Sequence, residues 1–317
     1  MTGSVMPTSS NQTLGVVFVL VASILWGTTG TAATFAPHVS PLAIGAAAMG
    51  LGGLLQMLIA LRAIKNSWAK LRGNCAYVFI GAAAVAVYPL AFYTSMHLAG
   101  VTIGTVVTIG SAPLLSAVIE RTFDGKPLTR RWMVGASLGL LGTMLLCIAK
   151  AHGHSASSVG GGARSLFGIL LGLVAGATYA LYSWTAHRLI QQNISSGAAM
   201  GATFGLGGLL LIPVLLLTGA PLVASWTNSA VGLYMALVPM GLGYVLFGKG
   251  LARVAASTAT TLSLIEPVVA AALAAVVVGE QLPLMGWLGA ALIVSCLYVL
   301  MQQPAEPEAQ VCPSPAR

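Results

Sequence analysis

Residues 263–274 read SLIEPVVAAALA: one carboxylate, Glu266, is followed at once by Pro267 and flanked on both sides by apolar residues. Whether water or hydrocarbon surrounds this stretch decides the fold. Of the 317 residues, 57% are hydrophobic and 6% charged, and the mean hydropathy is +0.91. Soluble domains carry about 25% charged residues. This chain lacks the polar surface to stay dissolved, whereas a bilayer asks for runs of about 20 apolar residues to cross its hydrocarbon. The composition therefore specifies an all-α polytopic membrane protein. The first apolar run has neither a basic flank nor a small-residue cleavage site, so it is expected to be kept as a span.

Charge-free stretches bounded by Lys, Arg and turn residues mark the spans. Helix 1 is expected from about Thr13 to Phe35 and, after the Pro37/Pro41 turn, helix 2 from about Leu42 to Leu61. Residues Gly73 to Ile119 contain no Asp, Glu, Lys or Arg and must hold two spans, split near Gly100. Helix 5 covers about Trp132 to Ala149 and helix 6 about Ser165 to Ala186; the uncharged run Leu189 to Gly248 again holds two, parted by Thr218 to Asn228. Helices 9 and 10 occupy about Val254 to Val278 and Leu282 to Met301, which makes ten transmembrane helices. With the N-terminus inside, all but Lys150 and Arg164 of the 14 basic residues fall in cytoplasmic segments, as retention of Lys and Arg during insertion requires. The net charge of +8 is thus read as topology and not as a nucleic-acid surface, which would want a soluble basic face.

Shifted by 153 or 154 residues, the chain overlays itself. Trp26 falls on Tyr179, Gly53 on Gly207, Tyr93 on Phe247, Pro113 on Pro267, Gly125 on Gly279 and Gly135-Ala136 on Gly289-Ala290. Five helices is an odd number, so the second copy enters the membrane in the opposite sense. Two inverted five-helix repeats around a central cavity are a recurrent carrier architecture, with the substrate site near the midplane beside Gly- or Pro-interrupted helices in matching positions. Pro113 and Pro267 are such a pair of expected helix bends.

The two repeat ends, SAPLLSAVIERTFDGKPLT and SLIEPVVAAALAAVVVGEQLP, each followed by a Gly-Ala helix (VGASLGLLGTMLL and WLGAALIVSCLYVL), resemble those of the drug/metabolite transporter superfamily. Within it the chain is similar to the ten-helix EamA-like branch and looks like the bacterial YddG-type amino acid exporters. The resemblance implies helices 1 to 4 and 6 to 9 around the cavity, helices 5 and 10 at the periphery, and export by alternating access. The expected organisation is a cytoplasmic segment 1–12, a first repeat 13–149, an extracytoplasmic linker 150–164, a second repeat 165–302 and a disordered cytoplasmic tail 303–317. A multi-pass protein of a bacterial inner membrane with both termini cytoplasmic is expected, as a monomer or weak homodimer.

Glu266 has two readings: a proton carrier or counter-charge for a substrate ammonium, since intramembrane ionisable groups are expensive, or a brace for the backbone freed by Pro267. Its repeat counterpart is Ala112. Helix 1 holds no acidic residue, and every other Asp or Glu lies near a membrane edge or in a loop, which disfavours a strongly cation-selective, proton-coupled pump. Phosphorylated cargo would want Lys or Arg deep in the cavity; Lys249 and Arg253 sit at helix ends, where snorkelling suffices. The interior offers hydroxyls, including Thr105, Thr108 and Ser111 on helix 4 and Ser257 to Ser263 on helix 9, and aromatics, Trp26, Tyr88, Phe92, Tyr93, Tyr179, Tyr182, Trp184, Tyr244 and Phe247. Trp226 and Trp287 are better placed for an interfacial belt.

A cavity of hydroxyls and ring faces with little net charge suits a zwitterion, whose ammonium meets a ring or Glu266 and whose carboxylate meets hydroxyls. The expected substrate-binding set is Trp26, Tyr88, Phe92, Tyr93, Thr108, Ser111, Tyr179, Tyr182, Trp184, Tyr244, Phe247, Ser263 and Glu266. The expected activity is export of aromatic or other neutral amino acids and related metabolites. Neutral drugs or other small polar metabolites are the alternative cargo, and a membrane-embedded enzyme or scaffold the alternative class. No cofactor or metal is expected: the four cysteines show no metal or CxxC spacing, and intramembrane catalysis would need a converging set of residues that the spans do not offer.

Overall fold

The computed structural model describes residues 9–153, 162–278 and 283–301. Among the described residues, ten helices are long and apolar enough to cross a membrane: α1 (Asn11–Ala33), α2 (Pro41–Asn66), α3 (Cys75–Ala99), α4 (Ile103–Phe123), α5 (Arg130–Ala149), α6 (Ala163–Gln191), α7 (Ser196–Thr218), α8 (Trp226–Leu251), α9 (Ala256–Val277) and α10 (Leu284–Met301). Among the described residues there is no strand. Helix continues past α5 to Gly153 and resumes at Gly162, so both flanks reach into the segment expected as a linker, whose residues 154–161 lie outside the described residues. So do residues 1–8, Glu280 and the expected tail, and the side chains of Thr102 and Lys150.

Local chemistry sets the helix ends. The Ser40 hydroxyl caps α2 by accepting from the Ala43 N–H at 3.2 Å, with Pro41 in the first turn. Ser195 caps α7 through the Ala198 N–H and Ser225 caps α8 through the Asn228 N–H, satisfying donors that helix starts leave open. Between α3 and α4 the chain reverses at Gly100, whose φ of +91° suits glycine.

The helices pair in a pattern that maps onto itself when each helix of the first five is exchanged with its counterpart in the second five. α2 lies along α7 and α5 along α10; α3 packs on α6 as α8 packs on α1, and α4 packs on α6 as α9 packs on α1. The α2–α7 and α5–α10 seams are close because a Cβ at Gly53 would strike the Phe204 carbonyl, and one at Gly142 the Gly289 carbonyl. Leucines and valines such as Leu216, Leu217, Val223 and Val276 stand exposed on the outside, as do Trp226 and Trp287. Such a surface fits lipid and not water.

Two helices are broken where proline removes an N–H. α8 widens into a π-helical turn over Ala236–Leu242 around Pro239, and α9 tightens into a 3₁₀ turn over Ser263–Ile265 immediately before Glu266 and Pro267. Pro113 differs from its expected partner: α4 runs through it as unbroken α-helix. The interruption matching that of α9 is thus missing from α4, and the second interruption sits in α8.

Candidate functional site

α1, α3, α6, α8 and α9 bring one aromatic cluster and one carboxylate together. Tyr88 and Phe92 are four residues apart on α3, and Tyr179 and Tyr182 three apart on α6, so each pair shares a helix face. Their rings stack within the pairs, with centroids 5.7 Å and 5.2 Å apart. Trp26 of α1 packs on Tyr244 of α8 at 4.7 Å and stands edge-on to Tyr179 at 6.4 Å. Together with Tyr93 and Glu266 these residues line a narrow cleft of about 40 Å³. Above it opens a vestibule of about 510 Å³ that shares Trp26, Thr29, Phe92, Tyr93 and Glu266 with the cleft. The vestibule reaches Pro37, Val39 and Pro41 in the turn between α1 and α2. Glu266 therefore sits where a wide opening narrows into an aromatic throat.

Hydrogen bonds hold most of the rings. Trp26 Nε1 donates to the Pro239 carbonyl at 2.9 Å and the Gln56 amide to the next carbonyl, Met240, at 3.2 Å, so side chains of α1 and α2 satisfy the widened turn of α8. The Tyr179 hydroxyl donates to Ser263 Oγ at 2.8 Å, and Ser263 donates on to the Thr260 carbonyl. The Tyr182 and Tyr244 hydroxyls pair at 2.9 Å. Tyr88 and Tyr93 reach the cleft with no partner among the described residues for their hydroxyls, and no ion pair engages Glu266. Among the described residues, the lining of the cleft and the vestibule includes no Lys, Arg, His or Asp.

Five of the expected binding residues lie elsewhere. Trp184 is at the far end of α6, donating to Asp124 Oδ2 at 2.9 Å and packed on Tyr77 and Phe123; its two-residue offset from Tyr182 turns it to another helix face. Phe247 is fully buried behind Trp26 and Tyr179. Thr108 donates to the Gly172 carbonyl at 3.1 Å and Ser111 to the Thr108 carbonyl at 3.3 Å, so these hydroxyls fasten α4 to α6 and to itself. Ser263 acts on Tyr179 from outside the cleft. The helix 9 hydroxyls Thr260 and Thr261 bond to carbonyls three or four residues back. Most of these hydroxyls serve internal bonding; of the helix 4 stripe, Thr105 lines the vestibule, and Ser257 and Thr258 line a separate pocket beside Glu120.

Sequence reasoning missed Thr29, Gly45, Met49, Pro89 and Met240, all in the cleft wall. Gly45 had a signal only in three dimensions: a Cβ there would collide with the Tyr93 ring, so glycine at this position lets that ring lie against α2. Pro89 follows Tyr88 directly, and a mid-span proline could have been ranked with Pro113 and Pro267.

Compared with known proteins, the chain matches the EamA-like transporter family over residues 13–148 and 166–302. It is 32% identical to "Uncharacterized transporter YwfM" of Bacillus subtilis (strain 168) over 292 residues, covering 91% of this chain and 94% of that protein. To a protein of Salmonella typhimurium (strain LT2) described as "Probable amino-acid metabolite efflux pump" it is 32% identical over 187 residues, 54% of this chain and 58% of that one. A solved structure at 20% identity superposes with a TM-score of 0.71 over 90% of this chain and 95% of that chain. That likeness concerns the fold alone.

Proposed function

Because the chain belongs to the EamA-like transporter family, we propose that it is an exporter of amino acids and related amine-bearing metabolites, working by alternating access from a bacterial inner membrane with both termini cytoplasmic. The carrying observation is a single carboxylate, Glu266, set among Trp26, Tyr88, Phe92, Tyr93 and Tyr179 with no ion-pair partner and no cation among the described lining residues. A substrate ammonium finds both a counter-charge and ring faces there. The hydroxyls of Tyr88 and Tyr93 are the donors left to meet a substrate carboxylate. Pairing of helices under exchange of the two halves supports two oppositely inserted repeats, and the amino-acid efflux description of one relative supports the substrate class.

The vestibule wall is largely apolar, with Ala33, Ala36, Val39, Ile44 and Ile109, which favours a second reading in which neutral drugs or other small metabolites also pass. Flux into proteoliposomes decides between them. Saturable counterflow of labelled amino acids, competed by the matching amines and not by the deaminated acids, is the expected result. Equal competition by uncharged analogues would overturn the ammonium reading in favour of the second.

A further inference from the structure

At the end of the bundle where α1 begins, two carboxylates, Glu120 in the last turn of α4 and Asp124 just beyond it, take no part in the site above. Glu120, 3% exposed, accepts from the Ala256 N–H at 3.0 Å through Oε1 and from the Ser257 N–H at 3.3 Å through Oε2. These are the first residues of α9, where open donors and the helix dipole favour an anion. Lys126 Nζ lies 3.6 Å from the same Oε1. One turn on, Asp124 accepts from Trp184 Nε1 at 2.9 Å and faces Arg188 Nη1 at 3.3 Å, both on α6. Beside it, His187 Nδ1 lies 2.7 Å from the Leu251 carbonyl, joining α6 to the end of α8.

Among the described residues, the other end carries no counterpart of these two carboxylates. At the 154-residue offset that aligns Pro113 with Pro267 and Gly125 with Gly279, Glu120 falls on Ala274 and Asp124 on Val278. A methyl or isopropyl group can neither accept an amide proton nor attract a cation. The vestibule opens at that unlatched end, past Ala33, Pro37 and Pro41. We propose that Glu120 and Asp124 are gate residues: they hold the protein in the state open at the Pro37/Pro41 end, and their release from α9 and α6 is the step that opens the opposite face. The proposal rests on the alternating-access reading but not on the identity of the cargo.

The test uses the full chain in nanodiscs, without substrate, in a background whose cysteines are replaced. Ala33→Cys in the vestibule wall reports the open face by its rate of labelling with a bulky maleimide, and hydrogen exchange over residues 255–262 reports the α9 start. Glu120→Gln and Asp124→Asn should each slow labelling several-fold, and Glu120→Gln should raise exchange at Ala256 and Ser257 about tenfold, as expected when a charged acceptor becomes neutral. Arg121→Gln, exposed on the same turn, should change neither. Unchanged labelling and exchange in folded Glu120→Gln and Asp124→Asn would overturn the proposal. If Asp124→Asn fails to fold, Asp124→Arg with Arg188→Asp carries the test: labelling returning toward the parent rate supports the latch, and labelling unlike the parent refutes it. Failure of amino-acid flux with these shifts intact would sink the substrate reading and leave the gate standing.

Discussion

Trp26 Nε1 donates a 2.9 Å hydrogen bond to the carbonyl oxygen of Pro239, joining residues 213 positions apart in the chain. Pro239 has no N–H and lies in the widened turn of α8, so the bond fixes the indole plane while satisfying a buried carbonyl. It also ties the first half of the chain to the second at the floor of the cleft.

Trp26→Phe keeps a ring but removes the donor. A buried acceptor left without its partner costs about 1–3 kcal/mol, and the freed ring loses its fixed tilt against Tyr244. Thermal unfolding in detergent should report a loss of that size, and flux should show a raised KM.

Glu266→Gln should raise the KM for amino acids about tenfold or more, the loss of roughly 1.4 kcal/mol expected when a counter-charge is removed. Uncharged cargo should be unaffected. Under an imposed pH gradient, proton coupling through Glu266 predicts that gradient-driven accumulation disappears in the variant while downhill exchange survives. Accumulation equal to the parent's would exclude that role and leave Glu266 a binding group alone.

The cleft tyrosines should separate into two classes. Tyr88→Phe and Tyr93→Phe remove hydroxyls with no protein partner, so stability should hold within about 0.5 kcal/mol while amino-acid affinity falls. Tyr179→Phe and Tyr182→Phe break the bonds to Ser263 and Tyr244 and should lower stability by about 1 kcal/mol. Paired melting and flux measurements on all four variants check the division.

Gly45→Ala should push the Tyr93 ring off α2, because the added Cβ overlaps it. A ring displaced from α2 has the open space of the cleft and the vestibule to move into. Overpacking costs about 1–3 kcal/mol, and flux of large aromatic amino acids should fall more than that of small ones; equal loss across sizes would show that the ring does not shape the cleft.

Ten spans and their near boundaries could be read from residue order, whereas the bend expected at Pro113 could not, and rings and hydroxyls fared differently again. Trp26, Tyr88, Phe92, Tyr93, Tyr179, Tyr182, Tyr244 and Glu266 converge on one cleft. Trp184 and Phe247 do not: one bonds to Asp124 and the other is buried behind Trp26. Thr108, Ser111 and Ser263 have another option, since a short hydroxyl reaches a carbonyl of its own or the adjoining helix. Composition could not tell these outcomes apart.

The sequence alone determined that the chain lives in a bilayer as ten helices, because the transfer free energy of about 20 residues is a property of that run and needs no knowledge of its neighbours. The tertiary structure alone decided that Trp184 turns to Asp124 and that Glu120 caps a helix starting 136 residues later. Those outcomes depend on the rotation of each helix about its axis, which is set by packing against partners distant in the chain.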